Sequence, residues 1–266
     1  MNIFKAFLFT ALLLALEVIT SLGIYKLTES SINNLDNTEY LTHYIGLTMT
    51  IPRIIAYLLI FVVFKIKLNW KNGQSKINGL EIKFIFYLLI ITIGLEFFDR
   101  PFFDFSKILD SIKNLIAEPY VHTERSNVTL IYRGISALIV APIFEELVFR
   151  KYLFTELLKK YSLKLSIIIS SVCFALIHLP SYRNLIPTFI FGIICCLIYR
   201  KTKNIIYTII LHFFANLTWF LFSIYGESFF KWIYGLEYDY TYWLLFLLGI
   251  FVTILGMKKI TTANTV

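Results

Sequence analysis

Charge is scarce in this chain. Of its 266 residues only 16% are Asp, Glu, Lys or Arg, against about a quarter in a typical soluble domain. Hydrophobic residues make up 58%, and apolar runs long enough to cross a bilayer as helices recur from end to end. A soluble enzyme is therefore excluded. Cysteine is scarcer: Cys173, Cys195 and Cys196 each sit inside an apolar run, and no pair has the spacing or flanks of a zinc or redox motif. They read as small buried hydrophobes. There are four histidines and no HExxH, so the helix-borne zinc-protease signature is missing. His43 and His122 have no partner at informative spacing. No linker, low-complexity tract or internal repeat breaks the chain, which reads as a single membrane-embedded domain over 1–266.

What is present is a series of hydrophobic spans. Eight are expected, at roughly 3–25, 41–64, 84–98, 128–157, 164–180, 184–200, 204–224 and 240–257. The fold class is all-α, a polytopic integral membrane protein of about eight transmembrane helices. The first span begins like a signal peptide but lacks a small-x-small cleavage site, and it reads as an uncleaved helix. Sixteen Lys and Arg fall in the loops on one side and seven on the other, a bias that puts both termini in the cytoplasm. The net charge of +8 is thus spent on orientation; no nucleic-acid partner is implied. Heavy use of Lys, Ile, Asn and Phe points to an AT-rich bacterial genome and a bacterial plasma membrane. In the longest outer loop, residues 103–116 alternate as an amphipathic helix that either lies in the membrane surface or packs on the bundle.

The spans carry charges where none should be tolerated unpaired, since each costs about 2.5–3.5 kcal/mol at bilayer depth on insertion scales. In FEELVFRKYL, residues 144–153, Glu146 and Arg150 are i, i+4 and can pair on one helix face. Glu145 points about 100° away and lacks that partner. Pro142, just before it, deletes a backbone hydrogen bond and should bend the helix. Two further spans hold polar groups: FALIHLP sets Phe174 and His178 at i, i+4 before a proline, and HFFAN sets His212 and Asn216 at i, i+4. At about 1.5 Å of rise per residue these groups fall at comparable depth. Burial raises a carboxylate toward neutral pKa, where it serves as a base. A neutral imidazole can share its water, and a second imidazole with an amide can bind an oxyanion. That set suits peptide hydrolysis by activated water and requires no serine or cysteine nucleophile. Glu17, Arg53, Glu96 and Arg133 also lie in or near spans without a motif, and read as structural pairs.

EExxxR at 145–150, FxxxH at 174–178 and HxxxN at 212–216, in that order on successive spans, resemble the CPBP family of CAAX proteases and bacteriocin-processing enzymes, also called abortive-infection proteins. The resemblance covers a core of about 130–220. It implies an eight-helix intramembrane endopeptidase in which Glu145 and His178 activate water, His212 and Asn216 form the oxyanion hole, and Glu146, Arg150 and Phe174 support the site. Family members commonly carry Gly after the Arg; here it is Lys151. No cofactor is required by this mechanism. The alternative, a divalent metal, would need Glu145, His178 and His212 as ligands. Implied partners are a peptide or membrane-protein substrate and the lipid bilayer, with a role in bacteriocin or pheromone processing or in self-immunity. A non-catalytic membrane immunity or regulatory partner, and a proton-coupled transporter, are the other classes compatible with buried Glu and His. The transporter predicts internal repeats that the sequence does not show.

Overall fold

The computed structural model describes residues 1–32, 38–66, 81–113, 127–179 and 181–262; His122 and the side chain of His43 lie outside the described residues. The regular elements described are all helical. They are α1 (Ile3–Ile32), α2 (Thr38–Val63), α3 (Ile82–Phe98), α4 (Phe105–Ile112), α5 (Val128–Leu158), α6 (Leu163–Leu176), α7 (Leu185–Thr202), α8 (Ile205–Tyr225), α9 (Glu227–Tyr234) and α10 (Tyr240–Thr262). Each of the eight expected apolar segments is a helix. Among the described residues six helices, α1, α2, α5, α7, α8 and α10, are long and apolar enough to cross a membrane. The 17 residues of α3 and 14 of α6 fall short of the ~20 that a straight crossing uses. Outward-facing side chains on α1 and α10 are large and apolar, among them Leu8, Ile19, Leu22, Leu244, Leu247, Phe251 and Ile254. A belt of that kind is incompatible with water and matches lipid tails. The protein is a multi-pass membrane protein.

The chain divides into two compact units, residues 1–69 with 123–173, and residues 70–122 with 174–266. In the first, α1 and α2 pack on each other and on α5. Phe9, Phe64 and Tyr152 form one aromatic contact set, and Tyr57 and Phe61 flank Phe144 in another. Gly46 permits the close approach of α2 to α5: a Cβ there would meet the Tyr132 ring at 2.6 Å. Pro52 interrupts the α2 ladder and cannot donate to the Thr48 carbonyl. Ser21 of α1 donates to that carbonyl instead, at 3.2 Å, and Thr20 donates to the Pro52 carbonyl at 3.2 Å. Backbone carbonyls around the proline are thereby satisfied inside the apolar layer, as a membrane segment requires.

In the second unit α3 and α10 meet along a glycine seam. A Cβ on Gly249 would lie 2.6 Å from the Gly94 carbonyl oxygen, and one on Gly256 2.6 Å from Ile91; small residues let two backbones touch where lipid gives no hydrophobic drive. α7 and α8 form a tight hairpin. Lys203 takes the left-handed conformation at φ 53°, and Asn204 caps α8 by accepting from the Ile206 N–H at 3.0 Å. At the other end Asp104 accepts from Tyr234 at 3.1 Å and Tyr242 at 2.9 Å. The amphipathic segment expected over 103–116 is α4. Its Ile108 is buried with Ile233 and Tyr242, while Phe105, Leu109 and Ile112 stay exposed. It therefore buries one apolar residue and presents the rest of its apolar face outward. Residues 114–116 lie outside the described residues.

Candidate active site

The 31-residue helix α5 is not a regular α-helix. It widens into π turns over Ile135–Val140, returns to α geometry over Ala141–Glu145, and widens again over Glu146–Phe154. Pro142 has no N–H to return to the preceding turn, and the first wide stretch ends just before it. The second is steadied by hydroxyls. Ser170 of α6 donates to the Phe149 carbonyl at 2.9 Å, and Thr155 donates to the carbonyls of Tyr152, at 3.0 Å, and Lys151. The sequence reading expected a bend at Pro142; the wide turns carry that distortion over most of the helix. Such turns are frequent at functional sites because they re-aim side chains without breaking the helix.

Three charged side chains of α5 are buried: Glu145 at 4% exposure, Glu146 at 0% and Arg150 at 0%. Glu146 and Arg150 pair at 2.9 Å, as the i, i+4 spacing required. Glu145 looks toward α2 instead. The Tyr57 hydroxyl hydrogen-bonds it, and the Arg53 guanidinium lies within Coulombic reach. Arg53 is itself balanced by Glu17 of α1 at 2.9 Å and donates to Ser136 of α5 at 3.4 Å. Glu17 and Arg53 thus form the structural pair expected of them. Tyr57 was not singled out in the sequence; the signal was its place one turn after Arg53 on the same face, in a span broken by a proline. Lys151, which follows Arg150, is half-buried.

The second unit gathers Phe174, His178 and His212. Phe174 is buried, and both imidazoles meet its ring edge-to-face, His178 at 5.0 Å and His212 at 5.9 Å between centroids. Phe191 of α7 closes against His212 at 5.2 Å. The sequence reading put His178 on a helix. It lies in the turn just beyond α6, where the N–H groups of His178 and Leu179 return to the carbonyls of Ala175 and Leu176, three residues back. The cause is local: Pro180 has no N–H to offer the Leu176 carbonyl and disfavours helical geometry at Leu179, so the helix runs out just ahead of it. His178 Nδ1 is 3.0 Å from the Phe174 carbonyl. A carbonyl only accepts, so Nδ1 carries the proton and, in the neutral ring, Nε2 holds the basic lone pair. Asn216 is half-buried one turn along α8 from His212. Among the described residues no group of three or more His, Cys, Asp or Glu side chains is placed to hold a metal ion.

Residues 127–218, which carry all three motifs, match the family model described as type II CAAX prenyl endopeptidase Rce1-like. The UPF0177 protein YxdF of Lactococcus lactis is 31% identical over 170 residues, spanning 61% of this chain and 89% of the relative. The chain belongs to the CPBP family. No solved structure matches it. The CPBP match is to a model described as an endopeptidase, and the matched region runs from the start of α5 to the turn of α8 that holds Asn216.

Proposed function

We propose that the protein is an intramembrane endopeptidase that hydrolyses a peptide bond of a short bacterial peptide or membrane protein. The observation that carries this reading is the burial of the EExxxR carboxylate Glu145 apart from the Glu146–Arg150 pair, in a chain whose FxxxH and HxxxN imidazoles are gathered on Phe174. Glu145 takes a proton from water, aided by Nε2 of His178, and the hydroxide adds to the scissile carbonyl carbon. His212 and Asn216 donate to the resulting oxyanion. The tetrahedral intermediate collapses, the C–N bond breaks, and the proton held by Glu145 passes to the leaving amine. Were a metal to take part, Glu145, His178 and His212 are the ligands it would need. Eight crossings with both termini in the cytoplasm complete the reading, with α3 and α6 as short crossings.

The test is cleavage of a fluorogenic peptide library by the purified protein in detergent. Glu145→Gln should lower kcat by about 10²–10⁴-fold, the range for loss of a positioned base. Equal activity in wild type and Glu145→Gln would sink the assignment. Activity that survives exhaustive chelation removes the metal alternative.

A further inference from the structure

Glu145 raises a problem of compensation. A carboxylate this buried must be hydrogen-bonded or paired, and Arg150, further along the same helix, is engaged at 2.9 Å by Glu146. Two of its partners come from α2. Arg53 and Tyr57 are i, i+4 and share one face, and both address Glu145, Tyr57 by a hydrogen bond and Arg53 by charge. Tyr57 is 1% exposed and stacked on Phe144 at 5.5 Å with an interplanar angle of 23°. Its hydroxyl is thus held by a ring that cannot swing. Arg53 is anchored from two other helices, by Glu17 of α1 and Ser136 of α5. Three helices therefore converge to orient two groups that face one carboxylate.

We propose that Tyr57 and Arg53 are positioning residues for Glu145: Tyr57 fixes the plane of the carboxylate by bonding one oxygen, and Arg53, held by Glu17, supplies the balancing positive charge. The inference rests on the reading of Glu145 as the group that activates water. A carboxylate anchored through one oxygen presents the second in a defined direction, and a catalytic base that is even 1 Å out of place loses rate steeply. The i, i+4 pair on α2 does for Glu145 what Arg150 does for Glu146, but from outside the helix, so that the charge balance and the reactive geometry are set by different elements.

The experiment compares Tyr57→Phe, which keeps the ring and its stack on Phe144, with wild type and Glu145→Gln. Tyr57→Phe should lower kcat about tenfold or more, with KM unchanged. Activity within twofold of wild type overturns the role of Tyr57. Arg53→Met should lose both melting temperature and turnover, because it strands Glu17. The double variant Arg53→Met with Glu17→Gln removes that stranded charge. It should recover the part of the melting temperature that Glu17 had cost, with Glu145 still lacking its balancing charge, while turnover stays low; recovery of turnover makes Arg53 merely structural. Loss of activity in Glu145→Gln with full activity in Tyr57→Phe defeats the inference alone, whereas full activity in Glu145→Gln defeats the reading beneath it. A readout free of substrate is the infrared carboxylate band isolated as wild type minus Glu145→Gln. Tyr57→Phe should shift it, and an unmoved band overturns the hydrogen-bonding role.

Discussion

Glu146 and Arg150 are both at 0% exposure and 2.9 Å apart, so each compensates the other's charge. Removal of one partner leaves a buried charge uncompensated, which costs about 3–5 kcal/mol. Glu146→Gln or Arg150→Met should therefore lower the detergent melting temperature sharply. The double variant Glu146→Leu with Arg150→Met should recover most of that loss, because an apolar pair carries no desolvation penalty. Asp99, just past the end of α3, makes a second residue-scale case. Burial first, and the Glu96 carboxylate second, push its carboxyl up from 3.8 to about 7, against the pull of Arg100. A raised carboxyl favours the folded state when protonated, so its contribution is complete below pH ~4 and is lost as pH rises through about 7. Wild-type melting temperature should fall between pH 5 and pH 8, and Asp99→Asn should flatten that part of the profile. A wild-type profile matching that of Asp99→Asn would refute the assignment. The Glu146–Arg150 pair needed no structure to be read, since i, i+4 spacing is local. The state of Asp99 did, because burial is a tertiary property.

At the scale of elements, hydropathy was enough to outline the helices, and the structured ends lie within a few residues of most expected ones. The internal geometry of α5 was not legible. Pro142 announces a distortion, but the π turns also depend on hydroxyls that catch the carbonyls of Phe149, Lys151 and Tyr152, and Ser170 comes from another helix. The glycine seam between α3 and α10 was equally silent, because lone glycines in apolar runs have many uses. Its packing makes a sharp prediction. In Gly249→Ala the added methyl would lie 2.6 Å from both the Gly94 carbonyl oxygen and the Phe98 nitrogen. These are backbone atoms that cannot swing aside, so the helices must part. The expected cost is that of overpacking, about 1–3 kcal/mol, read as a lowered melting temperature with an unchanged helical circular dichroism spectrum.

For the whole molecule the orientation remains to be measured. Single cysteines at Asn2, Thr261 and Asn184 address it, and Cys173, Cys195 and Cys196 are buried and should give little background. A membrane-impermeant thiol reagent on intact cells should label Asn184→Cys directly. It should reach Asn2→Cys and Thr261→Cys only after permeabilisation. Labelling of one terminus but not the other in intact cells would mean an odd number of crossings, and α3 or α6, the short helices, would be the first to reassign. Their lengths are the reason a count of eight hydrophobic segments and a count of six long helices differ: composition marks a segment as apolar, but the path of the folded chain sets how much bilayer it crosses.

The sequence by itself determined the solvent, the helix count within the apolar runs, the order of the three motifs and the internal pairing of Glu146 with Arg150. Each of these is a property of composition or of spacing within one helix, where periodicity makes neighbours predictable. Only the tertiary structure decided that His178 sits in a turn with its Nδ1 committed to a carbonyl, that Phe174 lies between two imidazoles, and that Glu145 is compensated from α2. Contacts between helices far apart in the chain leave no periodic trace. They depend on which faces meet, and in this protein the wide turns of α5 and glycines at close approaches help to set those faces.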